Sequence, residues 1–290
     1  MRERMRPHTI AFGLYLAAMT AGLLAHGSGL DAGLFGGLLA LQFWLTRRAQ
    51  LGPHTPWAVA ADAFYPVALN IVFPAMAAAI PAIHPVKVDT QLFALDARLF
   101  GGNWSERLDA FATPALTELM SGCYMLFMPL VYGNLLRYFF WQRERRASFL
   151  AGLFTVYGVG FLGYMLVPAV GPYIAFARLF KGPLPGGALW QLNQRMVAFG
   201  SNGVDVFPSL HTAVSVYILA FAWRHARREF WLLLPLVLGI CASTIYLRYH
   251  YLIDVICGLL LAMLAVIACV SAERAGRSLT LRRVVPESIP

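Results

Sequence analysis

Apolar residues run along the chain in eight blocks, at approximately 9–26, 31–46, 57–82, 115–139, 148–168, 208–223, 230–248 and 250–271, separated by short polar links. About 20 apolar residues at 1.5 Å rise per residue cross one bilayer. Each block therefore predicts a membrane-crossing helix, and together they predict an all-α polytopic bundle of about eight transmembrane helices. Two connections are long enough to carry structure of their own. Residues 83–114 interleave Asp89, Asp96, Arg98, Glu106, Arg107 and Asp109 with Leu92, Phe93, Leu99 and Phe100, which fits an amphipathic helix on the membrane interface or a solvated loop with a helical turn. Residues 169–207 are rich in Gly and Pro, including Gly171, Pro172, Gly182, Pro183, Pro185, Gly186 and Gly187, and predict an irregular cap.

Composition agrees with a membrane protein. Of 290 residues 59% are hydrophobic and only 13% charged, against about 25% charged in a soluble domain. Disorder, a disulfide-rich secreted scaffold and a nucleic-acid module are poor fits. The net charge of +9 takes its meaning from position. With both termini cytoplasmic, sixteen of the 23 Lys and Arg residues fall on the inner side, among them Arg6, Arg47, Arg48, Arg137, Arg146, Arg224 and Arg274. The outer side holds seven: Lys87, Arg98, Arg107, Arg178, Lys181, Arg195 and Arg248. This asymmetry supports an even number of crossings and places connections 83–114, 169–207 and 248–250 outside. The expected setting is a bacterial inner membrane with the active site on the periplasmic or extracellular side. No small-x-small cleavage site precedes the second block, so the first reads as a helix and not as a signal peptide. The four cysteines, Cys123, Cys241, Cys257 and Cys269, lie in apolar stretches and suit packing better than a disulfide framework or a metal site. The expected organisation is two N-terminal helices over 1–56, a six-helix core over 57–272 and a basic cytoplasmic tail over 273–290.

Charged and imidazole groups at membrane depth are costly and mark candidate function. In Phe207-Pro208-Ser209-Leu210-His211 the proline suits the first turn of a helix, whose free N–H groups and positive dipole end stabilise an anion. Ser209 adds a hydroxyl donor. Downstream, His250 and Asp254 are four apart, so on a helix they share a face and the carboxylate holds one ring nitrogen while the other is free to attack. Gly258 lets a neighbouring helix approach that face. Topology brings His211 and His250 to the same membrane surface. The chemistry implied is phosphoryl transfer through a phosphohistidine: His250 attacks phosphorus, Asp254 orients it, and His211 protonates the leaving oxygen. Arg248, Ser209 and the helix N-terminus would hold the phosphate oxygens. No cofactor or metal is called for, and a zinc site on His211, Asp254 and His250 lacks evident further ligands. Asp62 and Glu118 lie in apolar blocks and suit either an ion path or pairing near helix ends. His8, His26, His54, His84 and His225 carry no signal.

These residues resemble the type-2 phosphatidic acid phosphatase superfamily. Its second motif is similar to Pro208-Ser209-Leu210-His211, with Leu210 where many members have Gly, and its third is similar to the stretch ending at His250 and Asp254. The resemblance implies a six-helix core with His250 as nucleophile, His211 as general acid and Asp254 as the orienting partner of His250. Ser243-Thr244-Ile245-Tyr246, the Pro168-Ala169-Val170-Gly171-Pro172 turn and Leu99-Phe100-Gly101-Gly102 resemble the branch of aureobasidin-sensitive inositol phosphorylceramide synthases and their bacterial relatives. That implies transfer of a phospho-headgroup between lipids. Two departures stand out. The family's first motif, a lysine followed seven residues later by Arg-Pro, is missing, and Thr244 stands where the third motif has arginine. Arg248, with Arg178, Lys181 or Arg195, must then supply the phosphate-binding cations.

The expected function is a membrane lipid phosphatase or phosphotransferase acting on a phosphorylated lipid, with water or a lipid or polyol hydroxyl as acceptor. Its rivals are a transporter or channel with a His/Asp proton relay and a non-catalytic lipid-binding relative. No nucleic-acid partner is expected.

Overall fold

The computed structural model describes residues 6–52 and 55–284, with side chains described as far as residue 275. His54, and the arginines at 2, 4, 277, 282 and 283 counted above, lie outside the described residues or side chains. Along the chain come α1 (Pro7–Ala25), α2 (Gly29–Ala49), α3 (Pro56–Ile83), α4 (Asp89–Phe100), α5 (Trp104–Asp109), α6 (Pro114–Met125), α7 (Phe127–Leu136) and α8 (Arg146–Leu166). They are followed by α9 (Pro172–Ala175), α10 (Ala188–Gly200), α11 (Leu210–His225), α12 (Arg227–Tyr246) and α13 (Leu252–Val284). No strand occurs among the described residues.

Among the described residues, seven helical segments are long and apolar enough to cross a membrane: α1, α2, α3, the continuous 114–141 segment containing α6 and α7, the segment ending with α8, α12 and the first 24 residues of α13. The remaining expected crossing, α11, has 16 residues, about 24 Å at the α-helical rise. It is walled in by α7, α8, α12 and α13, so its short length is buried in protein.

The centre of the bundle is α8. An apolar helix without a polar face is stable only when surrounded, and α8 buries Phe149, Leu150, Leu153, Phe154, Phe161 and Met165 against α1, α3, α11 and α13. The N-terminal pair is part of this core. Phe12, Tyr15, Leu16 and Met19 of α1 are fully buried, and a Cβ at Gly158 of α8 would lie 2.6 Å from the Ala11 carbonyl carbon and the Phe12 nitrogen. Only a glycine permits the two backbones to come so close.

At the end where α3 finishes and α11 and α13 begin, the two long connections form a roof. The 83–114 connection is helical: α4 buries Leu92, Asp89 and Asp96 while Leu95 and Leu99 remain exposed. Gly101, at φ 76°, closes it in the left-handed conformation. The amphipathic helix expected there is present, with two of its acids turned into the protein. The 169–207 cap contains α9 and the amphipathic α10. The segment read as a basic tail from 273 onward continues α13 as helix to Val284.

Candidate active site

The turn between α12 and α13 carries His250, and its shape follows from its backbone hydrogen bonds. Arg248 N donates to the Ile245 carbonyl at 3.0 Å and Tyr249 N to the Thr244 carbonyl at 3.0 Å, the paired bonds of a Schellman motif. Arg248 occupies the left-handed position at φ 67°, where glycine is the usual residue. His250 N also donates to the Thr244 carbonyl, at 3.1 Å, and Ser105 Oγ to the His250 carbonyl at 3.4 Å. His250 therefore sits in a tight turn two residues ahead of α13. The helical register expected for His250 and Asp254 is not how they meet.

They meet across a helix N-terminus instead. Asp254 is in the first turn of α13, and its Oδ2 accepts from Tyr251 N at 2.8 Å and lies 3.5 Å from His250 Nδ1. Both side chains are buried, His250 2% exposed and Asp254 0%. The next two N–H groups, Leu252 and Ile253, donate to Asp96 of α4 at 2.8 and 2.9 Å. Helix N-termini leave such donors unpaired, and here carboxylates satisfy three in succession. Burial raises the Asp96 carboxyl above the usual carboxylate range, opposed by these two bonds.

The second histidine comes from α11. Pro208 lies before the helix and not in its first turn; Ser209 is the N-cap. Ser209 Oγ accepts from Thr212 N at 3.3 Å and donates to Thr212 Oγ1 at 3.2 Å, and Ser209 is fully buried. Its N–H donates to the Asp254 carbonyl at 3.0 Å, tying the two helix starts together. Gly258 permits this, since a Cβ there would lie 2.6 Å from the Ser209 carbonyl oxygen. The result is that His211 and His250, 39 positions apart in sequence, have ring centroids 5.7 Å apart at 65°. Tyr124 stacks on His211 at 4.5 Å and Phe127 packs at 4.3 Å. His211 Nδ1 is buried without a hydrogen-bond partner among the described residues.

Beside His211 opens a cavity of about 240 Å³ running between α3 and the 114–141 segment, lined mainly by apolar side chains such as Leu69, Phe73, Met128 and Val131. Asp205, which the sequence reading did not single out, also lines it. Its Oδ1 accepts from Ser201 Oγ at 2.7 Å. Burial pushes the Asp205 carboxyl up from the usual range, with the Ser201 bond acting against it.

The expected phosphate-binding cations divide between an engaged arginine and three exposed ones. The Arg248 guanidinium donates to Asp109 and, at 2.8 Å, to the Gly182 carbonyl, and lies 4.1 Å from the Phe180 ring centre. Arg178, Lys181 and Arg195 are exposed on the cap. Asp62 and Glu118 are fully engaged away from the histidines. Asp62 pairs with Arg6 at 3.1 Å and Arg146 at 2.9 Å, while Glu118 accepts from the N–H groups of Gly187, Leu189 and Trp190 at 2.7–3.0 Å.

A helical membrane bundle that brings two histidines together beside an apolar cavity has the architecture of an enzyme acting on lipids. Residues 90–268 match the model of the PAP2 superfamily. The chain is also similar to the phosphoinositol dihydroceramide synthase of Bacteroides thetaiotaomicron, at 29% identity over 205 residues, covering 63% of this chain and 67% of that protein. No solved structure matches it. The protein is thus an integral membrane enzyme of the lipid phosphatase and phosphotransferase class. It belongs to the PAP2 superfamily, as the two histidine motifs indicated, and lies toward its inositolphosphotransferase branch. The match begins at α4, so α1, α2 and α3 lie outside it.

Proposed function

We propose that the protein transfers a phospho-headgroup from a phospholipid to a hydroxyl-bearing lipid at the extracytoplasmic face, through a phosphohistidine. The observation that carries this reading is the meeting of the His211 and His250 rings, 5.7 Å apart, with Asp254 against His250 Nδ1. Asp254 on Nδ1 leaves Nε2 as the attacking atom. Its lone pair forms the N–P bond as the bond from phosphorus to the leaving lipid oxygen breaks, and protonated His211 delivers a proton to that oxygen. In the second half neutral His211 takes the proton of the acceptor hydroxyl, a new P–O bond forms, and the N–P electron pair returns to His250.

Phosphate is held by the N–H groups of Leu210 and His211 and by the positive end of α11. Arg248 fixes the nucleophile turn, and Arg178, Lys181 and Arg195 on the cap attract anionic headgroups. The name of the Bacteroides relative supports phosphoinositol as the group transferred and dihydroceramide as acceptor, and phosphatidylinositol is a lipid that carries that group. The excess of basic residues at the opposite end supports the extracytoplasmic placement of the site.

The test uses purified protein in detergent with phosphatidylinositol and dihydroceramide, products resolved by mass spectrometry. A new phosphoinositol-bearing sphingolipid made by wild type and not by His250→Ala supports transfer. Inositol phosphate alone would make the protein a hydrolase, and product from both proteins would remove His250 from the chemistry. Turnover survives EDTA, because no step passes through a metal.

A further inference from the structure

The cavity beside His211 has a charge pattern that selects its occupant. Among its lining residues no Lys or Arg occurs, and Asp205 is the one carboxylate. The loop carrying it is braced: Ser201 Oγ donates to Asp205 and accepts from Gly203 N at 3.1 Å, and Asn202 Nδ2 donates to the Phe73 carbonyl of α3 at 3.1 Å. A carboxylate in a chamber lined mostly by apolar side chains, whose other polar groups are His211, Asn70, Ser201 and four tyrosines, repels a phosphate and accepts hydrogen bonds from hydroxyl or amide N–H groups.

The chamber reaches the lipid-facing side between α3 and α7. There Tyr132 OH donates to Asn70 Oδ1 at 2.8 Å, both side chains exposed on membrane-crossing helices. Asn70 Nδ2 is already committed to the Pro66 carbonyl at 2.8 Å. Polar side chains facing lipid are expensive, and this pair stands where α3 and α7, each packed on other helices, leave the opening. Exposed Ile71 and Met128 flank it.

We infer that this cavity is the seat of the acceptor: an uncharged lipid with a hydroxyl headgroup enters between α3 and α7 past Asn70 and Tyr132, and Asp205 accepts a hydrogen bond from its headgroup beside His211. This rests on the transfer reading above and adds the acceptor's place and class. Asp205 keeps the anionic phosphate of the donor out of the cavity, and the acceptor oxygen takes the place beside His211 that the leaving oxygen has vacated, in line with the P–N bond. In the transfer step the acceptor oxygen bonds to phosphorus, its proton passes to His211, and the P–N bond to His250 breaks.

The experiment compares Asp205→Ala, Asp205→Asn and Val131→Trp in the full-length protein, with phosphatidylinositol as donor and dihydroceramide as acceptor, measuring the KM for each lipid separately. Asp205→Ala raises the acceptor KM tenfold or more while the donor KM moves less than threefold. Asp205→Asn, which keeps a carbonyl acceptor, recovers part of the loss, and Val131→Trp reproduces the acceptor defect by filling the chamber. Equal rises in both KM values, or an unchanged acceptor KM in both Asp205→Ala and Val131→Trp, would overturn the assignment. A wild-type protein that cleaves donor but transfers to no lipid would instead overturn the transfer reading itself.

Discussion

The two ends of the bundle use their acids differently. At the site end, Asp89 accepts from Val170 N, Gly171 N and Tyr251 OH, Asp96 from Leu252 N and Ile253 N, and Glu118 from the start of α10. At the opposite end acids pair with arginines: Asp62 with Arg6 and Arg146, Glu229 with Arg137, and Glu273 with Arg224 and His225. An arginine is long and adjustable, and pairing with it staples helices without dictating backbone shape. A carboxylate that gathers adjacent N–H groups fixes the backbone itself. The site end is therefore built to hold a turn in one conformation, which is what the proposed attack by His250 requires. Arg248–Asp109 is the exception at that end, and it too locks the turn, from the side chain at its left-handed position.

The sharpest way to break the contrast is to remove the reacting groups. His250→Ala lowers kcat by three orders of magnitude or more while thermal unfolding in detergent shifts little, and His211→Ala costs about 10²–10⁴-fold. Unchanged turnover in either would detach the turn's rigidity from any catalytic purpose. Asp96→Asn is next. One of two N–H bonds at the base of the turn is lost, because the Asn NH2 group cannot accept from a backbone N–H, destabilising by roughly 1–3 kcal/mol and lowering kcat more than tenfold, with substrate KM little altered. Arg248→Ala leaves Asp109 as an unpaired buried charge, costing about 3 kcal/mol; the double variant Arg248→Ala, Asp109→Ala recovers part of that stability but not kcat. The smallest effect belongs to Asp62→Asn, which lowers the unfolding temperature by a few degrees, about 1–2 kcal/mol, and leaves kcat per folded molecule unchanged. A kcat loss in Asp62→Asn as large as in Asp96→Asn would erase the distinction between the ends.

Much of this architecture was legible in the chain. Long apolar blocks have few folds open to them in a bilayer, so all eight blocks correspond to helices and the family follows from two short motifs. Gly258 was legible as a point of close helix approach and Ser209 as a hydroxyl at a helix start, but that Gly258 meets the Ser209 carbonyl depends on which helix lies alongside. His250 and Asp254 were paired correctly in sequence and wrongly in geometry. A spacing of four reads as one helical face, and nothing local reveals that Arg248 adopts a positive φ and ends α12 there. The acids of 83–114 gave a weaker signal. A chain with only 14 Asp and Glu residues makes each acid in such a segment worth noting, yet Asp96 meets Leu252 across 156 positions, a separation no periodicity encodes. Asp205 was missed because Ser201, Asn202 and Gly203 just before it read as an ordinary turn, and its role arises from the cavity formed by distant α3 and α7.

The central claim, that a rigidly held His250 takes the phospho-headgroup, is tested most directly by trapping the intermediate. Wild type and His211→Ala are incubated with phosphorus-labelled phosphatidylinositol without acceptor, quenched in alkali and digested for mass spectrometry. Acid-labile, alkali-stable label on the peptide containing His250 in wild type, reduced in His211→Ala, which lacks the proton donor for the leaving oxygen, and missing in His250→Ala, is the predicted result. Label on another residue, or donor cleavage with no label on the protein in any variant, would contradict it.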